Sequence, residues 1–320
     1  MPFTPDPQIQ AAFAQVVSAV AASASDGPDP NSIEGRRLGF AKWMGLIAPQ
    51  WPKEVTKKDI VVTGSDGHEF KCRFYEKQGS PRGGAAILYL HGGGYVVGGG
   101  LDVYDGVVGK IVGDTGVPAF AADYRLAPEA QYPTNVDDAH KAFLYLFDHA
   151  TEFGIDANRI AVMGDSAGGG LAAALVHYNI EKKGPRIAKQ ILVYPMIDDR
   201  NIHPDPDIND IALFKAEQNK SGWEALIGSK RGQDDIKPSA APARMTKTDA
   251  KQLPPTFIDV GELDIFRDEC IEYAQKLYQA GISCDFHVYT GCIHGFDFVA
   301  QEADVSQKAF QNRYQAIKTI

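Results

Sequence analysis

Residues 159–169 constrain this chain more than any other stretch. Arg159-Ile-Ala-Val-Met-Gly164-Asp165-Ser166-Ala167-Gly168-Gly169 reads as a short apolar strand running into G-x-S-x-G, followed by an Ala/Leu-rich helix from Gly170 to about Lys183. A strand that turns at once into a helix leaves no room for side chains beside the turn, so glycine is needed at Gly164 and Gly168. The serine between them is held in strained backbone angles at the carboxyl end of the strand. A helix N-terminus, which favours an anion, starts directly behind it. Ser166 then stands out as a nucleophile. A glycine-rich turn with an ordinary capping serine would read the same way locally, so the choice depends on the rest of the chain.

Strand-like runs recur near Asp59–Thr63, Glu69–Glu76, Ala85–His91, Pro118–Asp123, Arg159–Gly164, Gln190–Tyr194, Thr256–Gly261 and Ser283–Tyr289. Gly64-Ser65-Asp66-Gly67 joins the first two as a hairpin signal. The later runs are short, apolar and bounded by Gly or Pro, as in a parallel sheet buried on both faces. Helical periodicity fits Val103–Thr115, Val136–Phe153, Gly170–Lys183, Asp268–Ala280 and Glu302–Ile320. This alternation predicts an α/β fold, a mostly parallel eight-stranded doubly wound sheet with an antiparallel start and helices on both faces. The 320 residues suffice for such a core.

Two segments fall outside the alternation. Residues 1–50 carry two helix-like stretches, the second being Ser32–Ile47. Residues 197–250 are polar, with short helices expected around Ile211–Lys220 and Gly222–Gly228. We read residues 51–196 and 251–320 as the core, and the two outlying segments as a helical cap over the carboxyl edge of the sheet, where open α/β sheets bind ligands. Phe40, Trp43, Met44, Leu213, Phe214 and Trp223 are candidate pocket walls, although packing between cap and core would explain them equally well. Tyr95 divides in the same way.

The formal net charge of −9 provides no basic footprint for nucleic acid or an anionic membrane. Ile9–Ser25 is rich in Ala and Val but lacks a cationic leader, and fits an amphipathic helix capped near Asp6. No apolar run approaches the roughly 20 residues needed to cross a bilayer, so no stable membrane insertion is expected. Four cysteines without C-x-x-C or zinc spacing read as free thiols in a reducing compartment, hence a cytoplasmic location.

His91-Gly92-Gly93-Gly94-Tyr95 follows the strand Ala85–Leu90. Acyl transfer through a serine develops negative charge on the carbonyl oxygen, and three successive glycines let backbone N–H groups approach it. Gly92, Gly94, Gly98 and a later Asp123 resemble a dinucleotide fingerprint. Val96-Val97-Gly98-Gly99-Gly100 is a poor helix start, which counts against that reading. His91 reads as a hydrogen-bonding strut for the loop.

A nucleophilic serine needs a general base, and the base needs an orienting carboxylate. In sheets carrying this elbow the chain order is serine, acid, histidine. Of the histidines after Ser166, His203 lies in the Pro/Asp-rich insertion and His287 within an alternating strand. His294 sits in a loop past the last strand and is favoured as base. Asp264, in the loop after Thr256–Gly261, is favoured as acid, with Glu262 the runner-up. Asp268 and Glu269 read as first-turn helix acids, and Asp259 as structural.

His91-Gly-Gly-Gly-Tyr95, Tyr124-Arg-Leu-Ala-Pro-Glu129, Gly164-Asp-Ser-Ala-Gly-Gly169, Asp264 before Arg267-Asp268-Glu269, and His294-Gly-Phe296 together resemble the hormone-sensitive lipase family of α/β-hydrolases. The likeness spans nearly the whole chain. It implies Ser166 as nucleophile, His294 as base, Asp264 as orienting acid, and oxyanion donors at Gly93, Gly94 and Ala167. It also implies an α/β-hydrolase fold with a cap, hydrolysis of short-to-medium acyl small-molecule esters with no cofactor or metal, and frequent homodimers. In the family the Tyr124–Glu129 segment is a structural turn in which Arg125 and Glu129 fix loops. The family usually has Asp-Pro-Leu-x-Asp around the acid, where this chain has Asp264-Ile-Phe-Arg-Asp268. The same triad could act on an amide, a lactone or a natural-product intermediate. Relatives lacking triad members serve as ligand receptors, but this chain keeps all three.

Overall fold

The apolar runs become eight strands of one sheet in the computed structural model, which describes residues 3–22, 28–29 and 32–320. They are β1 (Val55–Thr63), β2 (Glu69–Lys77), β3 (Gly84–Leu90), β4 (Ala119–Ala122), β5 (Ile155–Asp165), β6 (Lys189–Val193), β7 (Thr256–Leu263) and β8 (Cys284–Ile293). The spatial order is β1-β2-β4-β3-β5-β6-β7-β8. β2 pairs antiparallel with β1 and β4, and every later neighbour pair is parallel. β3, β4 and β6 are buried along almost their whole length, because helices cover both faces. Leu101–Thr115 and Asp304–Lys318 lie on one face, and Thr134–Asp148, Ala167–Glu181 and Arg267–Ala280 on the other. This is the expected α/β-hydrolase architecture.

Several boundaries differ from the sequence reading for local reasons. The stretch Val136–Phe153 is two helices, Thr134–Asp148 and Ala150–Phe153, broken at His149 (φ −102°, ψ 15°). The insertion's helices are Pro206–Ile211 and Ala216–Ile227. Asp205 starts the first by accepting from the Asp207 amide at 3.0 Å, with Pro206 in the first turn. The second runs unbroken through Lys220, Ser221 and Gly222, where the sequence pattern predicts one helix ending and another beginning. β8 extends to Ile293 rather than stopping at Tyr289.

The first helix is Pro7–Ala22, and the Asp6 carboxylate caps it by accepting from the amides of Gln8 and Ile9. The expected continuation to Ser25 lies outside the described residues. Ile9 is buried among Tyr289, Ile293 and Phe296, so this helix packs beside the end of β8. Among the described residues no helix is long and apolar enough to cross a membrane.

Candidate active site

The strand order locates the site before any side chain is considered. From β3 the chain crosses to β4 on one side, and β5 then lies on the other side of β3. Chain segments leave the carboxyl ends of β3 and β5 in opposite directions, which opens a crevice there. His91–Gly94 leaves β3 at this point and Ser166 leaves β5.

Ser166 has φ 54° and ψ −122°, a left-handed conformation that a serine adopts only when its surroundings enforce it. The enforcement comes from close packing. A Cβ at Gly164 would run into the Gly168 backbone, and one at Gly168 into the carbonyls of Leu90 and His91. The Ser166 amide donates to Val193 O at 2.9 Å, and its carbonyl accepts from Gly170 and Met196 at 3.0 Å each. Its Oγ lies 2.9 Å from His294 Nε2. His294 Nδ1 lies 2.6 Å from Asp264 Oδ2, and Asp264 Oδ1 accepts from the Phe266 amide at 3.0 Å. All three side chains are buried. A hydroxyl, an imidazole and a carboxylate thus form one hydrogen-bonded chain, in which the carboxylate orients the ring and the ring can take the hydroxyl proton.

The loop after β3 faces this chain. Gly93 (φ 117°) and Gly94 (φ 58°) have left-handed backbones, and the Gly93 carbonyl accepts from Val96 and Val97 in a tight turn. Among the described residues the amides of Gly93, Gly94 and Ala167 donate to no protein acceptor. His91 is a strut, as read from the sequence. Its ring stacks on Tyr124 at 4.4 Å, its Nδ1 is 2.8 Å from Gly92 O, and burial pushes its pKa down.

A family model described as alpha/beta hydrolase fold matches residues 87–298. The chain belongs to this family, in its hormone-sensitive-lipase-like branch. It is 35% identical over 279 residues to an ethyl acetate hydrolase of Pseudomonas putida, covering 85% of this chain and 86% of that protein. An esterase of Mycobacterium tuberculosis, LipI, is 31% identical, with 83% of each chain covered. The solved structure of a bacterial heroin esterase superposes with a TM-score of 0.86 at 31% identity, over 99% of this chain and 98% of that one.

Within this α/β-hydrolase, the rivals weighed from the sequence have other partners. The His287 ring stacks on Tyr289, and its Nε2 lies 3.0 Å from Asp285. His203 is exposed. Glu262 accepts from the Gly291 amide at 2.8 Å and fastens an irregularity of β8, where Leu263 pairs with Ile293 after Gly261 pairs with Tyr289. That irregularity aims His294 at Ser166. Glu269 is more than a first-turn acid. It is buried and accepts from the amides of Ile197 and Asp198 and from Asn201 Nδ2, gripping the start of the insertion. Burial raises its pKa well above the usual range. The missing proline after Asp264 leaves the acid in place, since the Phe266 amide supplies the fixing bond and the Phe266 ring meets His294 edge-on at 5.2 Å.

The Tyr124–Glu129 turn ties loops together as the family resemblance implied. Arg125 donates to Asp138 and Asp66. Glu129 pairs with Arg37 at 2.7 Å, and Arg37 also donates to the carbonyls of Val96 and Ala127. Asp123, just past β4, accepts from the Gly100 amide at 2.8 Å and so ties the Tyr124–Glu129 turn to the loop after β3.

A cavity of about 390 Å³ lies over Ser166 and His294. Of the residues that a pocket wall or cap–core packing would explain equally well, Phe40, Trp43, Met44, Leu213 and Phe214 line it. Trp223 does not; it is fully buried against Tyr95 at 5.3 Å. Tyr95 is structural too, with its hydroxyl donating to Met196 O at 3.2 Å. Sequence reasoning missed Tyr194 and Asp165 at the cavity floor. The Tyr194 ring meets His294 at 4.8 Å. Asp165 accepts from the Tyr89 hydroxyl, and burial raises its pKa to about 6. Its place inside G-x-S-x-G was the available signal.

Proposed function

We propose that Ser166, His294 and Asp264 carry out the chemistry of this carboxylic ester hydrolase, with the amides of Gly93, Gly94 and Ala167 as oxyanion donors. The observation that carries the reading is the continuous chain from Ser166 Oγ through His294 to Asp264, at 2.9 and 2.6 Å, opening on a largely apolar cavity. Ser166 Oγ attacks the ester carbonyl carbon as its proton passes to His294 Nε2. The carbonyl oxygen becomes an oxyanion held by the three amides. Collapse breaks the bond to the alkoxy oxygen, which takes the proton from His294 and leaves as alcohol. Water then gives a proton to His294 and attacks the acyl-serine. The second tetrahedral species releases the carboxylic acid, and Ser166 regains its proton.

Small-molecule esters with short-to-medium acyl groups are the substrate class, supported by the cavity size and by relatives named as esterases and as ethyl acetate hydrolase. Residues 1–50 and 197–250 form the cap over a core of 51–196 and 251–320, a division supported by the cavity lining from Phe40 to Met44 and from Leu213 and Phe214. Four free thiols suit a reducing, cytoplasmic setting. The open edge of β8, with Val288 41% exposed, supports a homodimer, which sedimentation velocity would reveal or rule out.

Turnover of p-nitrophenyl butyrate by wild type and Ser166→Ala tests the mechanism. The variant should lose several orders of magnitude, and His294→Ala should match it, while His287→Ala changes little. Near-full activity in Ser166→Ala refutes the assignment.

A further inference from the structure

We infer that Phe40 is the partition that sets the length of ester arm this enzyme accepts, an inference that rests on the proposed ester hydrolysis at Ser166. Two hollows flank the helix Ile33–Ile47. The inner one is the 390 Å³ cavity over Ser166, and the outer one is an open cleft of about 1020 Å³ beside Gly98–Gly100 and the Tyr124–Tyr132 turn. Among the described residues, Phe40 alone lines both.

Helical spacing explains why. Arg36, Gly39 and Trp43 face the inner cavity and Arg37 and Ala41 the outer cleft, and Phe40 lies on the border of the two faces. Its ring is held in place. It stacks on Tyr104 at 6.3 Å, leans on Trp43 at 6.2 Å, and its Cε1 lies 3.4 Å from where a Cβ at Gly98 would stand. Gly98, at φ 90°, has no room for a Cβ between Gly92 O, the His91 ring and Phe40, so loop and ring are closely packed where they meet. Inside, the lining is mainly apolar. Outside, Arg37, His68, Lys71 and Glu129 mix with Phe70, Leu126 and Tyr132, so the cleft is roughly half polar. An arm that fits the inner cavity ends against Phe40, whereas a longer one meets the ring edge and must displace it.

Removing the ring joins the two hollows. The readout is the ratio of kcat/KM for p-nitrophenyl decanoate to that for p-nitrophenyl butyrate, which cancels any general loss of activity. Phe40→Ala should raise the ratio by about tenfold or more, Phe40→Leu by less, and Phe40→Trp should lower it. An unchanged ratio in Phe40→Ala and Phe40→Leu overturns the partition. A second readout needs no chemistry. In a Ser166→Ala background, calorimetric titration with decanoate and butyrate should show that Phe40→Ala selectively tightens decanoate binding. If wild type turns over no ester, the catalytic reading fails while the titration still decides the partition. Equal affinities with and without the ring overturn it.

Discussion

Replacing Arg313 with methionine should destabilise this fold by about 4 kcal/mol at pH 7 and by only about 1.5 kcal/mol at pH 5. Arg313 projects from the helix Asp304–Lys318 and is 4% exposed. Its Nε and Nη2 donate to Asp259 of β7 at 2.5 and 3.2 Å, and its Nη1 donates to Asp297, just past His294. Both carboxylates are buried, and among the described residues no other side chain bonds either one. Two carboxylates and one guanidinium leave a single net negative charge. Methionine fills much of the volume but removes the cation, and one carboxylate must then take up a proton to restore that charge. Protonating a group of ordinary pKa near 3.9 costs about 1.36 kcal/mol for each pH unit above it, hence about 4 kcal/mol at pH 7 and 1.5 at pH 5. The first figure agrees with the roughly 3–5 kcal/mol typical when one partner of a buried ion pair is deleted. The sign follows from a carboxyl pKa raised in the folded variant, so stability is lost as pH rises above the unfolded value. Urea unfolding of wild type and variant at the two pH values measures it, because contributions from other titrating groups cancel in the difference. An equal penalty at both pH values would mean that lost packing, not an unpaired charge, causes the effect.

Two further outcomes follow from the site. Burial raises Asp165 from 3.8 to about 6, so the folded state keeps a proton that the unfolded chain has released; that stabilisation is present below about 3.8 and lost as pH rises through 6. Wild type should therefore lose roughly 2.4 kcal/mol relative to Asp165→Asn between pH 4 and 7, and parallel stability profiles would contradict this. Gly93→Ala should lower kcat/KM on every ester about 10²–10³-fold, because φ 117° is hostile to alanine and the new Cβ would meet Val97 O. A loss smaller than about threefold would remove Gly93 from the donor set.

What the sequence revealed of this site, and what it concealed, divides along physical lines. Gly164, Ser166 and Gly168 could be read because a strand-turn-helix elbow excludes nearly every other residue type, so the constraint is written locally. His294 and Asp264 could be read because chain order and strand ends limit the choice. Glu269 was misjudged because its partners, the amides of Ile197 and Asp198, lie about seventy residues away and carry no residue-type signal. Trp223 was misplaced among the pocket candidates because an aromatic on a cap helix looks the same whether it faces substrate or core. Tyr194 was overlooked because a tyrosine at a strand end is ordinary until His294 is seen against its ring.

Gly222 shows most clearly why cap and core cannot be treated as separate parts. Glycine inside a helix costs about 1 kcal/mol relative to alanine, and the sequence pattern predicts a new helix starting at this position. In the fold a Cβ there would stand 2.7 Å from Gly94 O, so the helix Ala216–Ile227 can lie against the donor loop only if the position is bare. Phe214 closes on the same loop, 3.6 Å from where a Gly94 Cβ would sit, and its ring meets His294 at 5.5 Å. From the other segment, Arg37 grips Val96 O and Ala127 O. Both segments therefore press on the loop of residues 92–97, whose Gly93 and Gly94 amides we propose as oxyanion donors. A substitution in the cap that shifts this loop by a few tenths of an ångström changes the donors' aim, so cap variants should alter kcat as well as KM.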